Sequence, residues 1–522
     1  MKAGEAARGK PTWVWLALVL VSSLAVRLSF FGGLLGWDDV QYSEAARRFA
    51  AGEYVQATQF GLRYPIILPL AACQALFGIN EAALFLTPLV YSLAGHAVIY
   101  ALGVLYGGRR VGLLAAGLLA LFPLDVLLAT ALHADLPMSV FMAATVYCVK
   151  RGETAGEGAW RWFLLAGLAM GLTQMSKEVG LVVGAVLLAR LAWLRCWRPA
   201  YGWLGVGFAV VLLGELAWYT ALTGQPLFPF SAEAVALHTR HMQRVSPSYG
   251  WMLVYPDMLL NPLHVRFGHF AGYFYLVVAA TIWGLSRRDR SVGELALWWG
   301  TILTLLNFAP LDAGFERPLY IHFARTLHPV FLPGILAAAY WLVHGFRGWR
   351  VWQRALLVGL VPVVLWALWV QRFDHRQWAS VARQVAAVIA NEPTGTLVAA
   401  DPLNTGALRI LLPEHREHVI TASDATVRDR PGSGRLLVLH DPVLLDSAVA
   451  HGYDAPAWLL RPPPHWIRLA DFTRPRRASL REWLLDLSPR WLGLEPASGG
   501  AIPAEPASLW QVSFPAPAGE RP

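Results

Sequence analysis

The sequence predicts an all-α helical bundle threaded about eleven times through a bilayer, followed by a small extracytoplasmic α/β domain at the C-terminal end. Three observations predict it. Of 522 residues, 56% are hydrophobic and only 15% charged, against about 25% charged in a soluble domain. Apolar runs near the ~18-residue length that crosses hydrocarbon recur from residues 13–28 to residues 356–370. Beyond residue 371 the pattern shifts to short amphipathic and strand-like stretches.

The candidate spans are 13–31, 84–106, 111–130, 137–149, 161–176, 179–194, 202–222, 270–285, 293–310, 327–345 and 354–371. Lys2, Arg8 and Lys10 precede the first run, as in a secretory signal. That run continues past Arg27 with no small-residue cleavage site, so it reads as an uncleaved first span. Short loops rich in positive charge alternate with longer, sparser ones. The first set holds Arg109/Arg110, Lys150/Arg151, Arg195/Arg198, Arg287/Arg288/Arg290 and Arg347/Arg350/Arg354. The positive-inside rule places that set in the cytoplasm, with the N-terminus inside and the tail outside. The net charge of +9 is thus spent on orientation. No basic stripe interleaved with aromatics marks a nucleic-acid surface. The 24 Trp and 16 Tyr suit two membrane interfaces.

Two outer loops, 32–83 and 223–269, exceed what a connector needs, and long loops in compact proteins tend to be functional. The first contains a helix-like stretch at 43–51 and an apolar stretch at 66–77, too short to span and suited to lying in the interface. In the tail, residues 374–390 form an amphipathic pattern with Trp378, Val381, Val385 and Ile389 on one face. Strand-like runs at 397–400 and 435–440, each followed by Asp-Pro, flank a helical stretch at 405–412. The domains expected are 1–371, a soluble domain at 372–495, and a flexible Pro/Ala/Gly-rich tail at 496–522.

The ionisable residues of the outer loops carry the chemical signals. Asp38 and Asp39 are adjacent carboxylates at the membrane boundary. Such a pair, with one pKa raised, supplies a general base; the alternative is a solvated turn. His133 and Asp135 follow the third span on the same face, with Asp125 nearer the membrane. Ionisable groups at membrane depth are functional by default, although Asp135 also suits a helix N-cap. Lys177-Glu178 is either an ion-paired turn or a cation placed for phosphate. Arg63, Arg317 and Arg325 present forks that match phosphate oxygens or touch lipid head groups. His238, His241, His264 and His269 crowd the second long loop without a carboxylate or Cys at zinc-ligand spacing. The stretch 414–418 lacks the H-E-x-x-H order and reads as solvated loop. The three cysteines, Cys73, Cys148 and Cys196, form no CxxC and indicate neither a disulfide framework nor a zinc site.

An ordered set of motifs then resembles a family. Residues Trp37 to Arg48, with Asp38, Asp39 and Tyr42, resemble the acidic-then-Tyr-then-Ala signature of C-type-fold membrane glycosyltransferases. The similarity is to the protein O-mannosyltransferase and lipid A aminoarabinose transferase superfamily. Arg63-Tyr64-Pro65 stands where that family has Lys-Pro-Pro, and residues 76–81 resemble its LFG-x-(N/S)-E segment. Asp135 matches its second aspartate, Ser176-Lys177-Glu178 its SKE turn, and residues 325–329 its Arg-Tyr-Leu-x-Pro. Asp39 in place of Glu, the loss of one Pro and the Lys, and His328 in place of an apolar residue are departures. The resemblance covers residues 13–345, not the tail.

The resemblance implies an inverting transfer of a sugar from a polyprenyl-phosphate carrier to a glycan, lipid or protein acceptor outside a bacterial inner membrane. Asp38 is then the general base. Asp39 or Asp135 orients the acceptor or helps hold a divalent cation, and Lys177, Arg63 and Arg325 stabilise the departing phosphate. No nucleotide cofactor is expected, since no Rossmann glycine motif is visible. The rival readings are a lipid or polysaccharide flippase, which often shows repeats and broken helices, and a polysaccharide polymerase or ligase using lipid-diphosphate donors.

Overall fold

The structure is a computed structural model and describes residues 12–56, 58–195, 197–230, 249–264, 266–310, 322–345, 350–376, 378–393, 395–423, 435–450, 453–474 and 506–512. Each predicted span coincides with a helix or a broken pair of helices. These are α1 (Thr12–Ser29), α4 (Glu81–Gly107), α5 (Arg109–Leu121) with α6 (Pro123–Ala129), α7 (Asp135–Thr154), α8 (Ala159–Ser176), α9 (Val182–Leu194), α10 (Gly202–Thr223), α12 (Tyr273–Ser286), α13 (Arg290–Phe308), α14 (His328–His344) and α15 (Arg350–Arg376). Among the described residues, four helical stretches are long and apolar enough to cross a membrane by themselves. They are Glu81–Gly107, Pro199–Thr223, Ala324–His344 and Val351–Arg372, with the α5/α6 pair a fifth if taken as one span. The expected single span at 111–130 is therefore corrected to two helices bent by 67°. Phe122 is extended at φ −70°, ψ 114°, because the ring of Pro123 disfavours the helical conformation in the residue before it.

The helix expected at 43–51 begins earlier, as α2 (Asp38–Ala50), and the interfacial stretch forms α3 (Tyr64–Phe77). A short α11 (Val254–Leu260) lies in the second long loop. His238 and His241 of that loop lie outside the described residues, as does Arg317.

The chain divides into two compact units. The first comprises Met1–Phe31, Arg48–Pro69 and Phe85–Arg372; the second comprises Gly32–Arg47, Leu70–Leu84 and Phe373–Pro522. The C-terminal part of the second unit begins at Phe373, and two pieces of the loop at 32–83 belong to that unit as well.

In the first unit, the span containing α14 is 83% buried, whereas the spans of α10 and α15 are 11% and 17% buried. All three are apolar, so the outward faces of α10 and α15 require lipid as their solvent. Phe122 and Phe270 pack on Phe331 of α14, with ring centroids 4.7 and 5.2 Å apart. Two buried ionic clusters cross this core. In one, Arg27 of α1 donates to Asp125 of α6 (3.2 Å) and to Ser92 of α4 (2.8 Å), and Ser92 donates to Asp125. His96 joins through Ser23 at 3.1 Å. In the other, Glu294 of α13 accepts from Lys150 (2.8 Å) and Arg190 (2.6 Å), while Arg190 also grips Glu153. Lys150, expected as a loop charge, thus turns inward. Desolvating an unpaired charge costs several kcal/mol, which is why each is matched.

The second unit holds α16 (Ser380–Ile389), β1 (Leu397–Ala400), α17 (Pro402–Leu411), β2 (Val419–Thr421), β3 (Leu436–His440), α18 (Pro442–Ala450), α19 (Ala457–Leu460), β4 (Ile467–Phe472) and β5 (Ala507–Gln511). The sheet order is β2-β1-β3-β5-β4. β2, β1 and β3 run parallel, and β5 pairs antiparallel with β3 and β4. Val381, Val385 and Ile389 of α16 are buried as the amphipathic pattern predicts. β5 corrects the sequence reading: residues 507–511 fill an interior position of the sheet, so the domain extends past 495. The Pro/Ala/Gly content around that strand masked it. The stretch at 414–418, expected as solvated loop, is a 3-10 turn with His415 buried.

Asp401 follows β1 and Asp441 follows β3, at the carboxyl ends of neighbouring parallel strands. Asp401 accepts from the amides of Leu403 (2.9 Å) and Asn404 (3.0 Å), capping α17. Burial, opposed by these hydrogen bonds and aided by nearby Asp441, pushes its carboxyl up to about 6. The folded chain therefore holds this proton to a pH where the unfolded chain, releasing it near 4, has lost it. That difference, worth about 3 kcal/mol, stabilises the unit fully below pH ~4 and is lost as pH rises through ~6. We expect slower hydrogen exchange of β1 and β3 amides, corrected for intrinsic rates, at pH 4.5 than at pH 7.5. Asp401→Asn should flatten this dependence, and an unchanged dependence in that variant would assign it to other groups.

Candidate active site

In the first unit, the start of α7, the end of α8 and the 3-10 turn before α14 bring together three predicted residues. Asp135 is the first residue of α7, with Ala134 as N-cap and no side-chain capping bond. The alternative role of Asp135 as an N-cap is therefore not realised. Its carboxylate accepts from Lys177 Nζ at 2.6 Å and lies 3.5 Å from Arg325 Nε. Lys177 follows the last residue of α8, in an extended conformation that turns its ammonium toward Asp135. Arg325, in the 3-10 turn before α14, donates through Nη1 to His133 Nδ1 at 2.9 Å. That nitrogen must then be an acceptor, leaving the ring's proton on Nε2. Asp135 is 2% exposed at its side chain, against 18% for Lys177 and 25% for Arg325. The cations form the accessible face of the cluster and the carboxylate its floor.

Arg63 pairs with Glu178 at 3.4 Å, an exposed carboxylate beside Lys177. Burial disfavours the charged form of Lys177, Asp135 favours it, and Arg325 and Arg63 lie close enough to disfavour it further. Among the described residues, Lys177, Arg63 and Arg325 meet here with Asp135 and Glu178, and Glu215 of α10 lies close enough to act on Glu178. Partly desolvated guanidinium forks of this kind fit a phosphate.

Asp38, Asp39 and Tyr42 belong to the second unit. The turn before α2 has Gly33 and Gly36 at φ 76° and 91°, backbone that a side chain disfavours. This geometry points successive amides inward. Asp39 accepts from the amides of Leu35 (2.6 Å), Gly36 (3.0 Å), Trp37 (2.9 Å) and Val40 (3.0 Å). It is 1% exposed. A carboxylate holding four amides has its lone pairs committed, so Asp39 organises the turn. Asp38, the half-buried first residue of α2, stands beside it. Tyr42 is buried one helical turn on. Below the turn, Glu81 accepts from Leu34 N at 2.8 Å and pairs with Arg383 of α16. Gln74 of α3 donates to Ser43 Oγ at 2.9 Å. Arg383 is a residue the sequence reading missed; it sits 302 positions from its partner, and no local pattern announces such a pair.

Among the described residues no group of three His, Cys, Asp or Glu side chains is arranged to hold a metal ion.

Residues 67–218 match the family model described as dolichyl-phosphate-mannose-protein mannosyltransferase. The structure is similar to that of ArnT from Cupriavidus metallidurans bound to undecaprenyl phosphate, with a TM-score of 0.59 at 14% identity over 95% of this chain and 98% of that one. ArnT in the apo state matches with a TM-score of 0.58 at 15% identity, over 96% and 98% of the two chains. The chain has the C-type glycosyltransferase fold. The matched segment and the fold are both similar to those of membrane glycosyltransferases. The archaeal oligosaccharyltransferase AglB from Archaeoglobus fulgidus, in complex with an inhibitory peptide and a dolichol-phosphate, matches more loosely. Its TM-score is 0.51 at 11% identity, over 78% of this chain and 64% of that one. No curated protein matches in sequence. The segment that matches the family model runs from α3 to α10 and includes Asp135 and Lys177, while Asp38 and Arg325 lie outside it.

Proposed function

We propose that this glycosyltransferase moves a sugar from a polyprenyl-phosphate carrier to an acceptor at the outer face of a bacterial inner membrane, inverting the anomeric centre. The observation that carries the reading is the cation cluster, with Lys177 and Arg325 drawn onto buried Asp135 and Arg63 nearby. Support for the donor class comes from the fold's relatives: ArnT binds undecaprenyl phosphate and AglB a dolichol-phosphate in their structures. The chain crosses the bilayer about eleven times, with its N-terminus inside and its C-terminal unit outside, in keeping with the positive-inside pattern.

In the proposed reaction Asp38 takes the proton of the acceptor hydroxyl. The freed oxygen attacks the anomeric carbon, the bond from that carbon to the phosphate oxygen breaks, and the lipid phosphate leaves with the electron pair. Lys177, Arg325 and Arg63 stabilise the growing charge, which is where preorganised donors accelerate a reaction. Asp135 holds Lys177 and Arg325 in place. Asp39 holds the turn that presents Asp38, and Tyr42 and Glu178 support α2 and Arg63. Both oxygens of Asp39 accept amides and both oxygens of Asp135 face cations. The mechanism proposed here therefore runs no step through a divalent cation.

The donor class is tested by incubating the purified chain with polyprenyl-phosphate sugars and identifying the lipid released. A monophosphate supports the proposal; a diphosphate would move the chain to the polymerase and ligase class. Arg325→Lys keeps the charge and loses the fork. About a tenfold fall in kcat/KM, or ~1.4 kcal/mol, is expected, whereas a wild-type value would remove Arg325 from the phosphate site.

A further inference from the structure

The packing of the C-terminal unit bears on the turn before Asp38, and its consequence rests on the reading of Asp38 above. Trp37, immediately before Asp38, packs with Leu403 of α17 and with Leu444 and Ala448 of α18. It also meets Trp378 edge to face, with centroids 6.3 Å apart. Val40, one turn into α2, lies against Gly406 in the middle of α17. A Cβ at position 406 would overlap Val40 Cγ1 and come within 3.3 Å of its Cβ. Valine is stiff about χ1, so the methyl has no ready escape. Glycine is otherwise a poor choice inside a helix. Its presence in α17 is explained by the approach of α2. Two charged contacts extend the seat. Glu44 of α2 lies in the field of Arg409 and Arg416. Arg383 of α16 grips Glu81, which accepts from Leu34 in the turn before Asp38.

We propose that α16 and α17 of the C-terminal unit position the general base: Gly406 and Arg383 are positioning residues that set where Asp38 stands. The tail domain is then part of the catalytic apparatus and not a passive appendage. Gly406 makes room for Val40, Trp37 is clamped in an apolar socket, and Arg383 acts through Glu81 on the turn. Asp39 ties the same turn to the first residues of α2. A displacement of about 1 Å in a reacting group costs up to about 10²-fold in rate, so the quality of this seat reaches the chemistry.

The test is a double-mutant cycle in the full chain, in native membranes. The variants are Gly406→Ala, Val40→Ala, the two together, and Asp38→Asn as a reference. Two readouts are taken: hydrogen exchange over residues 33–47, and the mass of sugar added to envelope glycans by cells holding each variant at equal level. Gly406→Ala should speed exchange across 33–47 and cut transfer about 10²-fold, with protection of β1 and β3 unchanged. Val40→Ala with Gly406→Ala should restore both readouts, because shortening Val40 returns the missing space; a merely structural loss in α17 would not be repaired from α2. Arg383→Met should loosen 33–40, and Arg383→Lys should recover part of the loss.

Wild-type exchange and transfer in Gly406→Ala, or no rescue by Val40→Ala, overturns the proposal. The two readings fail separately. If Asp38→Asn transfers normally, the assignment of the base is lost. If Asp38→Asn is inactive while Gly406→Ala is fully active, only the positioning role is lost.

Discussion

Replacing Asp38 by Asn is expected to lower sugar transfer by about 10²–10⁴-fold, the usual worth of a general base. Asn keeps the size and a hydrogen-bonding carbonyl but cannot take a proton. The structure separates this residue from its neighbour. Asp39 is held by four backbone amides, so Asp39→Asn should disturb the turn, while Asp38→Asn should leave the turn and α2 intact. The two variants are told apart by hydrogen exchange over 33–47: fast in Asp39→Asn, unchanged in Asp38→Asn. Full transfer by Asp38→Asn at normal membrane levels would refute the assignment of the base. Loss of transfer accompanied by loss of the folded chain would show Asp38 to be structural.

Replacing Asp125 by Asn is expected to destabilise the membrane unit by about 3–5 kcal/mol, the cost of leaving a buried charge without its partner. Arg27 is 1% exposed at its side chain, and so is Asp125. Ser92, the Ser23 carbonyl and the Ala120 carbonyl complete the shell of the guanidinium. None of these carries a compensating charge, and His328 lies 3.8 Å from the carboxylate on the other side. The double variant Arg27→Met/Asp125→Leu removes both charges and should recover most of the loss, since an apolar pair of similar size is often neutral to stability. Thermal unfolding in detergent measures both. An Asp125→Asn chain as stable as wild type would mean that water reaches the cluster and that the pair contributes little.

The helices and the charge cluster around Asp135 were legible for different reasons. A span is written in a contiguous apolar run, so all eleven predicted segments meet helices, with boundaries displaced by a few residues. Lys177 and Arg325 converge on Asp135 because each lies at a helix end, where the alternation of helices along the chain constrains it. The contributions of Asp39, Arg27 and Lys150 were hidden. Asp39 and Lys150 looked like charges on a boundary or in a loop and Arg27 was passed over inside the first apolar run, yet each is buried against a partner. The tail strand at 507–511 was hidden by its Pro-, Ala- and Gly-rich surroundings, which outweigh five residues of strand pattern.

The sequence alone determined that this chain is solvated by lipid, where its helices lie, which loops carry the ionisable groups, and that a small α/β unit follows. These follow from properties summed over neighbouring residues: hydrophobicity, charge density and short periodicity. Folding in three dimensions is what joins the turn bearing Asp38 and Asp39 to the C-terminal unit, occupies Asp39 with backbone amides, and matches each buried charge to its partner. Such pairings join residues up to 302 positions apart, and their energy depends on burial and distance, neither of which is a property of any local stretch of chain.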